Sequence, residues 1–442
     1  MAADINTTSE RIIPTNNIVQ IIHPKIPSID KKVQVDASIE SQKSFEIFHE
    51  PTDLSTKAPI EFIIHPTVNN YVDLSSFNID IKLKMYKRVA GTLTRLNRDT
   101  WQSYFINNIS QSLWSVIKVY LNDVNVQSSY DNQQVSNMRH ILTTSNELVD
   151  RRGILQGAFK VEKGTLDAEV TDELLAHDSI QKRIDFSKDD TLHIRGPLIL
   201  DLASCDKFLL DNVTIKIVLE PSAAPFFINA KNDAGPFDYQ IESCKLQVTK
   251  IRPSDGALLA TANKLIQTPC EYLMTRNTIH REILPANLHE ITITRPFTAL
   301  IPDKIYCFFV DREASNGSHQ RPPYYYPHLN LEHYSFKING QEIAGGSENS
   351  SYVTLYDESL KAHDQEHFIP YENYINGSFV MCVNTNLHSD ANSLHLDRFG
   401  NLTISFSFKE PLARQTTVYL VGVIDSTFEI DSDRTVTTQF QY

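Results

Sequence analysis

His363 and His367 stand four residues apart, with Asp364 and Glu366 between them. On a helix that spacing stacks two imidazoles on one face, as a zinc ligand pair requires. The zinc-protease pattern needs Glu directly after the first His, however, and this chain has Asp364 there, with no third ligand suggested. A solvated, charged helix end accounts for the pair. Cupin strands carry two His with one residue between, whereas His193 stands alone in Thr-Leu-His-Ile-Arg. Nucleophilic chemistry finds no frame either. There is no Gly-x-Ser-x-Gly elbow, no phosphate loop and no dinucleotide fingerprint. Asp189 and Asp190 lie in a polar stretch and read as surface charge. Cys205, Cys244, Cys270, Cys307 and Cys382 are far apart, odd in number and in no Cys-x-x-Cys pair. Several sit among strand residues, which predicts free buried thiols in a reducing compartment. No catalytic residue, metal or cofactor is expected.

The aromatic residues are less neutral. Arg321-Pro-Pro-Tyr-Tyr-Tyr-Pro327 cannot be the interior of a helix or a regular strand. It gathers Tyr324, Tyr325 and Tyr326, with His319, His328 and His333 nearby. Such a loop can pack its rings on its own domain, anchor a subunit interface or form a carbohydrate platform. Tyr324, Tyr325, Tyr326 and His328 are therefore the candidate intersubunit or surface loop.

These residues must be held by strands. Phe77, Ile79, Ile81, Leu83 and Met85 alternate with Asn78, Asp80, Lys82 and Lys84. Leu402, Ile404, Phe406 and Phe408 alternate with Thr403, Ser405 and Ser407. A period of two with one apolar face means a sheet that covers a core on one side. Residues 113–121 are apolar on both faces and should be more deeply buried. Further strands are expected near 59–65, 191–200, 288–295, 303–310, 376–384 and 416–424. Ser254 can cap a helix over 255–267. Many short strands, few helices and long loops predict sandwiches of the jelly-roll kind.

The chain also says the same thing twice. Residues 212–221 and 401–411 are alternating strands that each end at an acid and a proline. Upstream of them, 116–126 and 334–343 are hairpins turning at Asn122-Asp123 and Asn339-Gly340. A helical segment follows each hairpin, at 130–142 and 350–362. Hairpin, helix and closing strand in the same order predict two copies of one all-β unit. The punctuation at Pro221, Pro225, Gly235 and Pro236 marks the boundary. The expected division is an N-terminal arm (1–30), a first jelly roll (31–222), a linker (223–236) and a second jelly roll (237–442). Residues 143–190 are polar and weakly periodic, an insertion.

Composition sets outer limits. With 442 residues and 41% hydrophobic content, the chain can bury a core in each of two units. Its net charge of -13 disfavours a broad grip on nucleic acid. The densest basic stretch, Lys82, Lys84, Lys87, Arg88, Arg95 and Arg98, reads as a solvated strand end and loop. The N-terminus has neither a basic nor an apolar leader region, so no signal peptide is expected. Apolar runs are too short for a transmembrane segment.

Several segments resemble the major capsid proteins of Polinton (Maverick) elements and adintoviruses. They include Asp206-Lys-Phe-Leu-Leu-Asp-Asn-Val-Thr-Ile-Lys-Ile-Val-Leu, Leu258-Leu-Ala-Thr-Ala-Asn-Lys-Leu with Tyr272-Leu-Met-Thr-Arg, Val310-Asp-Arg-Glu-Ala-Ser-Asn-Gly-Ser and Phe428-Glu-Ile-Asp-Ser-Asp-Arg. In the first half, Tyr71-Val-Asp-Leu and the run from Asn107 to Asn122 are similar to family stretches, with Gln111 where His is usual. Arg312 is a second departure. The order of the segments is shared over about residues 60–440. The resemblance implies a double jelly roll, a homotrimeric capsomer of pseudo-hexagonal outline and an icosahedral DNA-virus shell, assembled inside the host cell, in the nucleus by analogy. It implies neighbouring capsomers and penton and minor capsid proteins as partners, and no catalytic residues. A penton or minor capsid protein is the alternative within the virion. A jelly-roll carbohydrate-binding module is the alternative outside it. Segments 143–190 and 312–330 are the candidates for outer or intersubunit surfaces.

Overall fold

The strand signals organise into two sandwiches with one wiring. The computed structural model describes residues 39–49, 58–89, 92–94, 102–188, 191–205, 207–231, 237–297, 300–345, 352–363, 367–385 and 400–438. The expected arm at 1–30, part of the expected linker, and Arg95, Arg98, Asp189, Asp190, Asp364 and Glu366 lie outside these residues.

In the first half the strands are β1 (Ile39–His49), β2 (Ile60–Ile64), β3 (Tyr71–Val89), β4 (Trp114–Leu121), β5 (Val124–Ser129), β6 (Leu192–Pro197), β7 (Ile215–Pro221) and β8 (Phe237–Pro253). One sheet runs β1-β8-β3-β6 and the other β2-β7-β4-β5, all antiparallel. In the second half they are β9 (Cys270–Leu284), β10 (Glu290–Thr294), β11 (Lys304–Asp311), β12 (Leu331–Ile338), β13 (Gln341–Gly345), β14 (Met381–Asn384), β15 (Leu402–Phe408) and β16 (Thr416–Ile430). The sheets run β9-β16-β11-β14 and β10-β15-β12-β13. Adding eight to each strand of the first order gives the second. That wiring is the jelly roll, present twice. Short strands at Thr92–Thr94 and Val436–Thr438 extend β3 and β16, and Ser103–Phe105 pairs with Ile228–Ala230.

Local chemistry explains the elements. Along β3, Phe77, Ile79, Ile81, Leu83 and Met85 are buried while the intervening Asn78, Asp80, Lys82 and Lys84 lie on the other face. Lys84 pairs there with Glu242, as a solvated strand face would. Both expected hairpins turn through left-handed backbone, with φ of 44° and 66° at Asn122 and Asp123 and of 51° and 84° at Asn339 and Gly340. These are the conformations that two-residue hairpins demand. The repeated helices are α1 (Asn132–Thr143) and α4 (Tyr352–Ala362). The insertion carries α2 (Asp178–Ser187), and α3 (Asp255–Leu265) joins the sandwiches. Ser254 caps α3, its hydroxyl accepting from the Ala257 amide at 3.3 Å.

Two expectations need correction. Residues 237–253 do not open the second half. As β8 they lie hydrogen-bonded between β1 and β3, so they close the first sandwich. Pro221 and Pro225 precede the crossing from one sheet to the other within that sandwich, and α3 is the connection between the units. Strands β1 and β9 were not legible. Among the described residues each pairs along one side only, at a sheet edge. Edges tolerate charged residues, and in β9 Arg276, His280, Arg281 and Glu282 obscure the alternation.

Candidate functional site

The densest polar chemistry lies along the seam where the two sandwiches meet. The tyrosine loop forms its centre. Tyr324 and Tyr326 are buried, and their hydroxyls reach into the first half. The Tyr324 hydroxyl donates within reach of Ser112 Oγ (2.6 Å) and the Gln133 carbonyl (3.0 Å). The Tyr326 hydroxyl donates to Gln134 Oε1 at 3.0 Å and accepts from Asn137 Nδ2 at 2.9 Å. Gln134 Nε2 returns a bond to the Pro323 carbonyl at 3.1 Å. Thus α1 of the first sandwich presents one polar face to a loop of the second. Burial pushes both phenols above their ordinary pKa, so they act as neutral hydrogen-bonding groups.

This location corrects the expectation of a surface or intersubunit loop for Tyr324 and Tyr326. The rings pack inside one chain because their hydroxyls find partners there that solvent would otherwise supply. Tyr325 and His328 are half-buried. The Tyr325 ring lies against Gly377, where any Cβ would come within 2.7 Å of it and φ is 116°. His328 packs on Tyr352 with ring centroids 4.5 Å apart.

The insertion joins the same seam. Its Val170 amide donates to the Gln320 carbonyl at 2.7 Å, and Asn373 Nδ2 donates to the Val161 carbonyl at 2.8 Å. The two segments expected to form outer surfaces, 143–190 and 312–330, thus meet each other. Arg321 is held by Asp311 at 2.8 Å and Glu313 at 3.1 Å. Further along, buried Asp201 accepts from Asn277 Nδ2 at 2.8 Å and Arg139 Nη2 at 3.3 Å. Near the two chain ends of the halves, Arg434 donates to Asp211 Oδ1 at 2.6 Å and its carbonyl accepts from Asn122 Nδ2 at 2.8 Å. The Tyr272 hydroxyl donates to the Phe208 carbonyl at 3.1 Å. Nothing periodic marks Asp201, Asp211 or Arg434 in the sequence.

The residues first considered for chemistry are dispersed. His363 and His367 have ring centroids 6.5 Å apart. Burial, then His363, holds His367 down to a pKa of about 4. His193 lies 2.9 Å from Asp80 on an exposed strand face. All five cysteines are buried, and none of them forms a disulfide. Among the described residues, no group of three or more His, Cys, Asp or Glu could hold a metal ion, and no helix is long and apolar enough to cross a membrane. Gln111 is buried and clamps the end of β6 through a bond from Nε2 to the Pro197 carbonyl.

Comparison with known proteins agrees with the wiring. No protein-family model matches the chain. An uncharacterised protein of Caenorhabditis elegans, F54H12.2, is 20% identical over 315 residues, which span 68% of this chain and 72% of that protein. A chain from the cryo-EM structure of the Sputnik virophage superposes with a TM-score of 0.62 at 12% identity, over 92% of this chain and 90% of its own. The mavirus major capsid protein superposes with a TM-score of 0.53 at 10% identity, over 90% of each chain. The fold is a double jelly roll, shared along nearly the whole length of these chains.

Proposed function

We propose that this chain is the major capsid protein of an icosahedral DNA virus or Polinton-like element, of the Polinton (Maverick)/adintovirus type. Its role is structural, and its site is the outline of the subunit, not a catalytic centre. One observation carries the reading: a single chain holds two jelly rolls of identical strand order, fused by a buried polar seam, with its likeness to the mavirus major capsid protein running through both. Two similar lobes per chain give six lobes per homotrimer. A three-fold object can then fill a position of hexagonal coordination in a shell, and closed symmetry is the common outcome for homo-oligomers. Its partners are neighbouring capsomers and the penton and minor capsid proteins, and its place is the virion shell.

The net charge of -13 assigns genome compaction to another, basic protein. The units are residues 39–253 and 270–438, with α3 between them. Light scattering on the purified protein tests the proposal. Three chains of 50.3 kDa give a mass of about 150 kDa. A five-chain mass would favour a penton, and a stable monomer that forms no shell with its partner proteins would defeat the capsomer.

A further inference from the structure

Ile266, Val68 and Leu259 are the most exposed large apolar side chains among the described residues, at 76%, 70% and 65%. All three lie at one end of the molecule. Leu259 is on α3, and Ile266 is the C-cap of that helix. Val68 sits in the turn before β3, whose first residue, Tyr71, pairs with Ile251 shortly before α3 begins. Lys250 ties that turn down by donating to the His65 carbonyl at 3.1 Å and to Thr67 Oγ1 at 2.7 Å.

Helix α3 carries two stripes of the same spacing. Leu258, Thr261 and Leu265 face the protein: Thr261 and Leu265 are buried, and Leu258 packs against the core. Leu259, Ala262 and Ile266 repeat the i, i+3, i+7 pattern one residue on, and all three are exposed. A surface helix needs one apolar stripe to hold it on a core. The second is left over, with a small residue at its middle where another chain can approach closely. Past Ile266 it continues into a groove lined by Thr268, Pro269, Asp431 and Thr437.

The chain itself supplies an occupant. Strand β1 begins at Ile39, which pairs with Pro253, two residues before α3. Residues 1–38 therefore join the fold beside the first turn of that helix. Within them residues 12–22, Ile-Ile-Pro-Thr-Asn-Asn-Ile-Val-Gln-Ile-Ile, hold no charge and six β-branched apolar side chains. A run of this kind left in water promotes association between chains. Residues 23–38 separate it from Ile39. A stretch of that length reaches up to ~50 Å. The 11 residues of α3 extend only about 16 Å.

We propose that residues 12–22 dock on the outer stripe of α3 in the same chain, over Leu259, Ala262 and Ile266. The segment covers the end of the molecule at which the two sandwiches are joined. This inference does not depend on the capsid reading.

Hydrogen exchange of the full-length protein tests it. Amides of residues 12–22 should exchange roughly tenfold or more slowly than those of a synthetic peptide of the same sequence. Leu259→Lys combined with Ile266→Lys alters only exposed side chains and should return them to the peptide's rate. Exchange at the peptide's rate in the wild-type chain, or protection that survives the double variant, would overturn the inference. A second measurement reports which copy is bound. Ile18→Cys and Leu259→Cys in one chain are treated with a short bismaleimide, the native cysteines being buried. A link within one chain supports the docking. A link between two chains assigns the stripe to a second copy and overturns it, as does the absence of any link.

Discussion

The two sandwiches share their wiring down to single hydrogen bonds, yet fill it with different residues. At the tip of each β-hairpin an asparagine exchanges backbone and side-chain bonds with the residue before the closing strand. In the first half Asn122 N donates to the Thr214 carbonyl at 3.0 Å, and Thr214 N to Asn122 Oδ1 at 2.8 Å. In the second, Asn339 and Asn401 repeat both bonds at 2.9 Å. Register then equates Ile215, Ile217 and Leu219 with Leu402, Ile404 and Phe406. The cores diverge from there. Around β7 the first sandwich packs Ile117, Val119 and Leu121, whereas around β15 the second packs rings, with Phe309 against Phe406 at 5.4 Å and Phe336 against Phe406 at 6.3 Å. The lesson is that alternation and turn geometry specify the jelly roll, while the identity of the core residues sets only how its volume is filled.

The most damaging way to break the comparison is to empty equivalent core positions. Phe406→Ala should cost about 3–5 kcal/mol and Leu219→Ala about 2–5 kcal/mol, read from denaturant unfolding. Equal, small costs would mean that the aromatic core is loosely packed.

Acid should strain both sides of the seam. His140 of α1 is held to a pKa of about 4 by burial and then by Arg183, and His367 of the second half to about 4 by burial and then by His363. Both flank one contact, in which the Phe368 amide donates to the Leu142 carbonyl at 3.0 Å. Each imidazole is depressed in the folded chain relative to about 6.5 when unfolded, so the unfolded chain takes up protons first. Stability should be unaffected by these groups above pH 6.5. It should fall as pH drops towards 4, by up to ~1.4 kcal/mol per pH unit for each histidine. Urea titrations across that range should show the slope, and His140→Gln or His367→Gln should reduce it.

A subtler cut separates the sandwiches without touching either core. Tyr326→Phe removes a hydroxyl and leaves Gln134 and Asn137 short of a partner, at a cost of about 1–3 kcal/mol. Calorimetry should show the unfolding transition broadening towards two, because the lost bonds join the halves. A single sharp transition at lower temperature would place the effect inside the second sandwich alone.

The smallest effect sharpens the likeness of the turns. Asp123 holds φ of 66° where its counterpart is Gly340. Asp123→Gly should stabilise the first hairpin by up to ~1 kcal/mol, and Gly340→Asp should cost the second a similar amount. Differential scanning calorimetry of the pair would detect opposite shifts.

Much of this architecture is written locally. The alternation of 402–408, the Asn-Asp and Asn-Gly turns, the Ser254 cap and the repeated order of hairpin, helix and strand all follow from side-chain period and turn conformation. They made two jelly rolls legible in the sequence alone. Tertiary structure alone decided what lies between them. Strand β8 belongs to the first sandwich because a jelly roll seats its last strand between its first and third, and its pairing with β1 spans some 200 residues that no local pattern encodes. The tyrosine loop points inward because its hydroxyl partners sit on α1, about 190 positions earlier in the chain. Arg183 comes to lie beside the tyrosine loop only when distant segments close around it. Local physics determined the elements, and long-range burial of polar groups determined the seam.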